Sequence, residues 1–420
     1  LAGPPAGGTG GRRLPLPPLV RAMRGRLAWP SRRILPVALF FGTFAWSFVY
    51  VSLPFYIQRL STVDPVSTLR WTGWILGISA LVTVLTTPVW GRLAGRGNPK
   101  TFYVVVEILQ GLGFVGMAMA RSLLELFLAR LVLGAMGAAS TFAFIIAGRS
   151  PDRDVRREVS AIQSAMTVGQ ILGPLAGAVA AARIGFVPSF LLGGAILWGC
   201  AGLVQWGVPQ PRLSAAVEEE RRQISWGEVF VACFLVLAGS VQVFFLTAVL
   251  PQILPPLGVA TTSTLEIGGL IIFASGVGAA LGSLAAPRLA DLLGERRTIA
   301  SFLASSSGLL ALLALTRDAW SFGLVRFFQV LCVAPVFPLA VARIAQRAGG
   351  EAIGLVNSAR IGAAFIGPVA ATTLLTWTTP AVVYALLALA GLACVPLVRR
   401  RTRASGVDTR ARGGGGETPS

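Results

Sequence analysis

The sequence predicts an all-α polytopic membrane protein of twelve transmembrane helices, arranged as two six-helix bundles. Three observations carry this: apolar runs of about twenty residues, basic residues gathered into alternate loops, and a repeat relating the two halves.

Of 420 residues, 54% are hydrophobic and only 13% charged. A soluble chain of this length needs more polar surface than that. The runs fall near 34–56, 69–90, 101–119, 123–148, 159–181 and 186–208, and then near 228–252, 265–286, 298–316, 320–342, 354–377 and 380–398. Each is long enough to cross a hydrocarbon core as a helix. Most links are short. The longest, 209–227, carries the run Glu218, Glu219, Glu220, Arg221 and Arg222 and separates bundle 34–208 from bundle 228–399. Residues 1–33 read as a basic, Pro/Gly-rich cytoplasmic segment and 400–420 as a disordered cytoplasmic tail. No cleavable signal peptide is evident, and Met23 is a candidate start.

Loop charge sets the expected orientation. With both termini inside, the outer loops hold only Arg59, Arg121, Arg183 and Arg317, and Arg70, Arg130, Arg326 and Arg360 lie at or within spans. The remaining basic residues all fall on the cytoplasmic side, as the positive-inside rule requires. The net charge of +19 is therefore a topology signal; no aromatic-studded basic face exists for nucleic acid. Trp71, Trp206, Trp226, Trp320 and Trp377 sit where interfacial anchors belong.

The two halves repeat. STLRWTGWI at Ser67 recurs as STLEIGGLI at Ser263, RLAG at Arg92 as RLAD at Arg288, and Arg130 as Arg326, each at an offset of 196. QSA with Gly173-Pro174 recurs as NSA with Gly367-Pro368 at 194, and Leu53-Pro54 as Leu250-Pro251 at 197. An even number of spans per unit orients both halves alike. Such parallel repeats bind cargo between them near the midplane.

These signatures resemble the major facilitator superfamily over residues 34 to 398. GRLAGRGNPK (Gly91 to Lys100) is similar to its cytoplasmic-loop signature, and PRLADLLGERR (Pro287 to Arg297) is the second copy. Arg130 with Gly134 and Gly137 resembles the span-4 signature linked to proton coupling in family exporters. GQILGPLAG (Gly169 to Gly177) resembles the span-5 signature of the drug:proton antiporter branch, and SLPFYIQRL at the end of span 1 also looks like multidrug exporters. Two departures stand out. Gly95 occupies a place where the family usually has an aspartate, which Asp291 keeps in the second copy; and span 1 contains no acid.

The resemblance implies gating by Gly91, Arg92, Arg96 and Lys100 in the first loop and by Arg288, Asp291, Arg296 and Arg297 in the second. Arginines there would grip carboxylates and helix C-termini in one state and release them in the other, or else merely set topology. Gly169, Gly173 and Gly177 lie four apart on one helical face and permit close packing, with Pro174 bending the helix. Gly367 and Pro368 echo them. Packing alone and a hinge that seals against leak both fit.

Ionisable groups in hydrocarbon are costly, so buried ones are site candidates. Arg130 lies roughly 10 Å below the outer end of span 4 and Glu107 roughly 9 Å from the inner end of span 3, at the helical rise. They thus differ in depth by about 11 Å in a ~30 Å core, which argues against direct pairing. Arg326 matches Arg130 in span 10, and Arg360 lies one or two turns inside span 11. Gln110, Gln163, Gln170, Gln242, Gln329 and Asn357 offer hydrogen bonds, and Trp46, Tyr50, Phe244 and Phe245 offer aromatic walls or plain packing. Glu125 and Arg121 read as a surface pair.

Histidine is absent, which removes His-based triads and most zinc chemistry. Cys200, Cys233, Cys332 and Cys394 have no metal spacing and read as small hydrophobes. No metal and no cofactor are expected, nor an enzyme. The leading reading is a proton-coupled exporter of small amphipathic compounds in a bacterial inner membrane, monomeric, with a small-molecule substrate, protons and the bilayer as its partners. The alternatives are an organic-anion or sugar carrier and a non-transporting sensor.

Overall fold

The computed structural model describes residues 31–137, 139–148, 155–209, 226–345 and 350–399. The expected N-terminal segment, most of the linker, and the C-terminal tail lie outside the described residues. Twelve helical spans, numbered in chain order, are long and apolar enough to cross a membrane. They are Arg33–Leu60, Pro65–Ala94, Pro99–Met119, Leu123–Gly148, Arg157–Ile184 and Phe186–Gly207, then Trp226–Ile253, Thr264–Leu293, Glu295–Leu315, Ala319–Ile344, Gly354–Leu375 and Pro380–Val398.

Three spans are interrupted where the sequence implied continuity. Span 1 breaks between Tyr50 and Leu53, span 4 between Ala135 and Ala139, and span 10 between Val333 and Val336. Pro54 and Pro335 explain two of these, since proline lacks an N–H and crowds the carbonyl four residues back. The break in span 4 frees backbone carbonyls, which in an apolar medium must find donors. Thr83 Oγ1 donates to the Gly134 carbonyl at 2.9 Å, Trp90 Nε1 to Ala135 at 2.6 Å and Gln110 Nε2 to Met136 at 2.5 Å.

Packing follows the repeat. Span 1 lies on spans 5 and 6, span 2 on span 4, and span 3 on span 6; span 7 lies on 11 and 12, span 8 on 10, and span 9 on 12. Span 2 meets span 11, and span 5 meets span 8, and these two seams join the halves. Both seams use glycines 196 residues apart. A Cβ at Gly73 would stand 2.0 Å from Thr372 Oγ1 and 3.0 Å from the Pro368 carbonyl; one at Gly269 would stand 2.3 Å from Ala178 Cβ and 3.0 Å from the Pro174 carbonyl. Each Gly-Pro pair thus turns its proline carbonyl toward the other half. Apolar burial continues across the second seam, where Val51, Ala178, Ala181 and Leu265 cluster.

The seams close toward the face opposite the chain ends, hereafter the far face. There Arg183 pairs with Glu266 at 3.8 Å, and the Arg70 guanidinium lies 5.6 Å from the Trp377 ring centroid. At the terminal face, Arg92, Arg288 and Asp291 are exposed and make no ion pair among the described residues. A leucine at Gly269 must push Ala178 away, costing the closed seam about 1–3 kcal/mol. We expect Gly269→Leu to raise the reactivity of a cysteine placed at buried Thr264 toward an impermeant maleimide. Unchanged labelling would show that the seam tolerates the added bulk.

One small correction concerns span 4. Glu125 does not pair with the Arg121 guanidinium; its Oε2 accepts the Arg121 backbone N–H at 2.8 Å, while Ser122 Oγ accepts the Glu125 N–H at 3.2 Å. The two residues build a helix cap of the capping-box kind, which uses the acid to satisfy an orphan donor.

Candidate functional site

Two polar clusters occupy equivalent places in the halves. In the first, Arg130 is buried, and its Nε and Nη2 donate to the carbonyls of Ile75 and Leu76 at 3.1 and 3.0 Å. Its guanidinium also lies 5.6 Å from the Trp46 ring and 5.7 Å from the Tyr50 ring. Carbonyl lone pairs and ring quadrupoles share the charge, with no carboxylate present. Trp46 Nε1 donates to Gln110 Oε1 at 2.6 Å, which ties the cluster to the span-4 break through the Gln110–Met136 bond.

In the second cluster, Arg326 Nη1 donates to the Gln242 carbonyl at 2.7 Å and to Gln329 Oε1, and Nη2 donates to the Val243 carbonyl at 2.8 Å. Gln242 Nε2 donates to Ser307 Oγ at 2.9 Å, and its Oε1 accepts from Ser306 at 2.6 Å and from Gln329 Nε2 at 3.2 Å. Phe245 closes the site beneath Arg326, ring centroid 5.4 Å from the guanidinium. Gln242, Gln329 and Phe245 are fully buried, so they form the core of the second bundle and do not line an open wall. Phe244 beside them is only partly buried. Truncating the hub strands several buried donors and acceptors. Gln242→Leu is therefore expected to cost about 1–3 kcal/mol per orphaned group, read as a lower unfolding temperature in detergent.

The sequence pointed to Arg326, Gln242 and Gln329 but missed Ser306 and Ser307. The repeat held the missing signal: Ser306 stands 196 residues after Gln110, and Gln242 stands 196 after Trp46. The two arginines differ in what they grip, span 2 in one half and span 7 in the other.

Glu107 stands apart from both clusters. It is buried, no bond joins it to Arg130, and its Oε2 has no hydrogen-bond partner. The hydroxyl of Tyr103, one turn earlier, is the polar neighbour that interacts with the Glu107 carboxyl, without a well-formed hydrogen bond between them. The Glu107 Oε1 lies 3.4 Å from where a Cβ on Gly42 of span 1 would sit, an ordinary contact distance. Arg360 and Asn357 are half-buried on span 11, with the Arg360 guanidinium 4.7 Å from the Phe337 ring centroid.

The glycine row on span 5 faces span 1 of its own bundle. Cβ atoms at Gly169, Gly173 and Gly177 would meet the backbone of Phe40, Phe44 and Phe48 at 2.4, 2.8 and 1.9 Å. Gly367 repeats this against the Phe245 backbone N at 3.1 Å. Among the loop residues, Gly91 is open on all sides and Arg92 Nε reaches only the Pro88 carbonyl at 3.4 Å. Lys100 is buried at the start of span 3, Arg296 is half-buried and Arg297 exposed. The side chain of Arg96 lies outside the described residues. The tight turn occurs only in the second copy, where Gly294 has φ 82° at the junction of spans 8 and 9; Gly97 is extended at φ −129°.

Twelve spans in two repeat-related bundles, joined by two small-residue seams, define a multi-pass membrane transporter. The profile of the Major Facilitator Superfamily matches residues 34–268 and 235–418. The chain belongs to that superfamily. It is similar to the multidrug resistance protein MdtG of Rahnella sp. (strain Y9602), 23% identical over 322 residues, 75% of this chain and 78% of the relative. It is similar also to the multi-drug resistance efflux pump PmrA homolog of Lactococcus lactis subsp. lactis (strain IL1403), 26% identical over 355 residues, 79% and 87% of the two chains. Among solved structures, the nucleoside transporter NupG shares the fold, with a TM-score of 0.69 at 13% identity over 89% of this chain and 100% of that one.

Proposed function

We propose that this transporter exports small amphipathic compounds against an inward flow of protons, from the bacterial inner membrane, as a monomer with both termini cytoplasmic. The observation that carries the proton part is Glu107. Among the described residues it is the one carboxylate away from the ends of any span, and its second oxygen has no partner. A group that must take up and release a proton during a cycle cannot be locked in a permanent ion pair. Arg130 keeps its charge at any working pH and cannot carry the proton; its role is to hold spans 1, 2 and 4 in register around the cavity. Binding on the terminal side with the far seams shut is the inward-open state, and rocking about the seams would exchange it for the outward-open one. The similarity to multidrug efflux proteins supports the export direction and the cargo class.

The test is transport in proteoliposomes loaded with a fluorescent amphipathic cation, with and without an imposed pH gradient. Gradient-driven accumulation is expected on the acidic side. Equal flux with and without the gradient would leave a uniporter and remove the proton from the mechanism.

A further inference from the structure

Of the three arginines placed well inside spans, two are anchored to backbone carbonyls of another span. Arg130 and Arg326 each donate to two backbone carbonyls, and each rests against an aromatic ring. Arg360 is different. It makes no hydrogen bond or ion pair among the described residues; its Nε, like that of Arg326, is buried without an acceptor, but its other guanidinium nitrogens hold no carbonyl either. Its one contact of note is the Phe337 ring at 4.7 Å. A ring face offsets part of a cation's desolvation and leaves the in-plane N–H donors uncommitted. A guanidinium within a span normally finds a carboxylate or carbonyl, because charge in hydrocarbon is expensive. Here no acid of the described chain takes that place.

The location narrows the ligand. Arg360 lies six residues into span 11, roughly 9 Å from its start at the helical rise. Span 11 is one of the four seam helices, and its next turns pack against span 2 of the other half through Phe365 and Trp74, ring centroids 5.6 Å apart. The side chain is half-buried, and Asn357, three residues earlier, is half-buried too. A planar fork of donors, stacked on an aromatic ring and flanked by a neutral amide, suits a planar or tetrahedral anion.

We propose that Arg360, with Phe337 and Asn357, binds the anionic group (carboxylate, sulfonate or phosphate) of an amphipathic ligand. This rests on the transport reading only for the ligand's being cargo. The same chemistry has a second source, the phosphate of a lipid headgroup, because the site lies within reach of the terminal-side leaflet surface.

Equilibrium binding without any proton gradient separates this from the antiport mechanism. The full-length protein is reconstituted in nanodiscs of phosphatidylcholine alone, and dansylglycine and its methyl ester are titrated by fluorescence. Losing a charged hydrogen bond should weaken the anion roughly tenfold or more. Arg360→Gln is therefore expected to raise the dissociation constant for dansylglycine by that factor, and Arg360→Lys to restore part of it. Unchanged ester binding shows that the variant keeps its fold. Repeating the titration in phosphatidylglycerol nanodiscs identifies the source: a lipid site predicts competition with dansylglycine at wild-type Arg360 and none in Arg360→Gln, whereas a cargo site predicts the same affinity in both lipids. Equal dissociation constants for wild type and Arg360→Gln toward the anion in phosphatidylcholine would overturn the proposal, even if proton coupling held.

Discussion

Glu107→Gln should abolish the pH dependence of transport and its gradient-driven accumulation, while leaving downhill exchange. Glutamine keeps the shape that fits beside Gly42 but cannot release a proton. The carboxyl is buried and half-unpartnered, so the exchange costs no ion pair. Initial rates in proteoliposomes from acid to alkaline pH check this. Wild type should respond to pH and the variant should give a flat line. Arg130→Ala is expected to behave differently, since it strips two carbonyls of their shared donor and two rings of a cation. It should lower thermal stability by about 1–3 kcal/mol as well as accumulation. If Glu107→Gln left uphill transport and its pH response intact, Glu107 would be a packing residue and the anion-carrier reading would take precedence.

Gly177→Leu should cost the first bundle its integrity. The Cβ alone would stand 1.9 Å from the Phe48 carbonyl, a backbone atom that cannot swing aside. Overpacking costs of about 1–3 kcal/mol are a lower bound where backbone meets backbone. Gly173→Leu meets the Phe44 carbonyl at 2.8 Å and should follow the same course. Pro174→Leu is expected to contrast with both: it keeps the fold and loses transport, because a leucine N–H can bond the Gln170 carbonyl and straighten span 5 where its backbone meets span 8. Size-exclusion profiles and unfolding temperatures in detergent separate the two outcomes. A monodisperse Gly177→Leu protein with a wild-type unfolding temperature would mean that spans 1 and 5 have slack the structure does not show.

The contrast revises what span 5 does. The four-residue glycine spacing was legible as a close-packing face, but not its partner. Spacing names a face of a helix; only the assembled bundle says what lies opposite. The glycines serve packing within the bundle, and the prolines next to them meet the other half. The loop signature tells the same story. Arg92 and Asp291 were legible as part of a loop signature, expected either to gate or to set topology, and here they stand exposed.

By itself, the sequence determined the number of spans, their order, the duplication and the buried arginines. These follow from local facts: run length against bilayer thickness, and the cost of charge in hydrocarbon. The breaks in spans 1 and 10 were half-written in Pro54 and Pro335, but Pro251 leaves span 7 unbroken, so proline alone does not decide. Only the tertiary structure decided which guanidinium is anchored to carbonyls and which is not. Arg130, Arg326 and Arg360 are alike as residues in apolar runs. They differ because hydrogen-bond partners come from other helices, tens to more than eighty positions away in the chain. Two are met by the carbonyls of a neighbouring span, and the third by an aromatic ring alone.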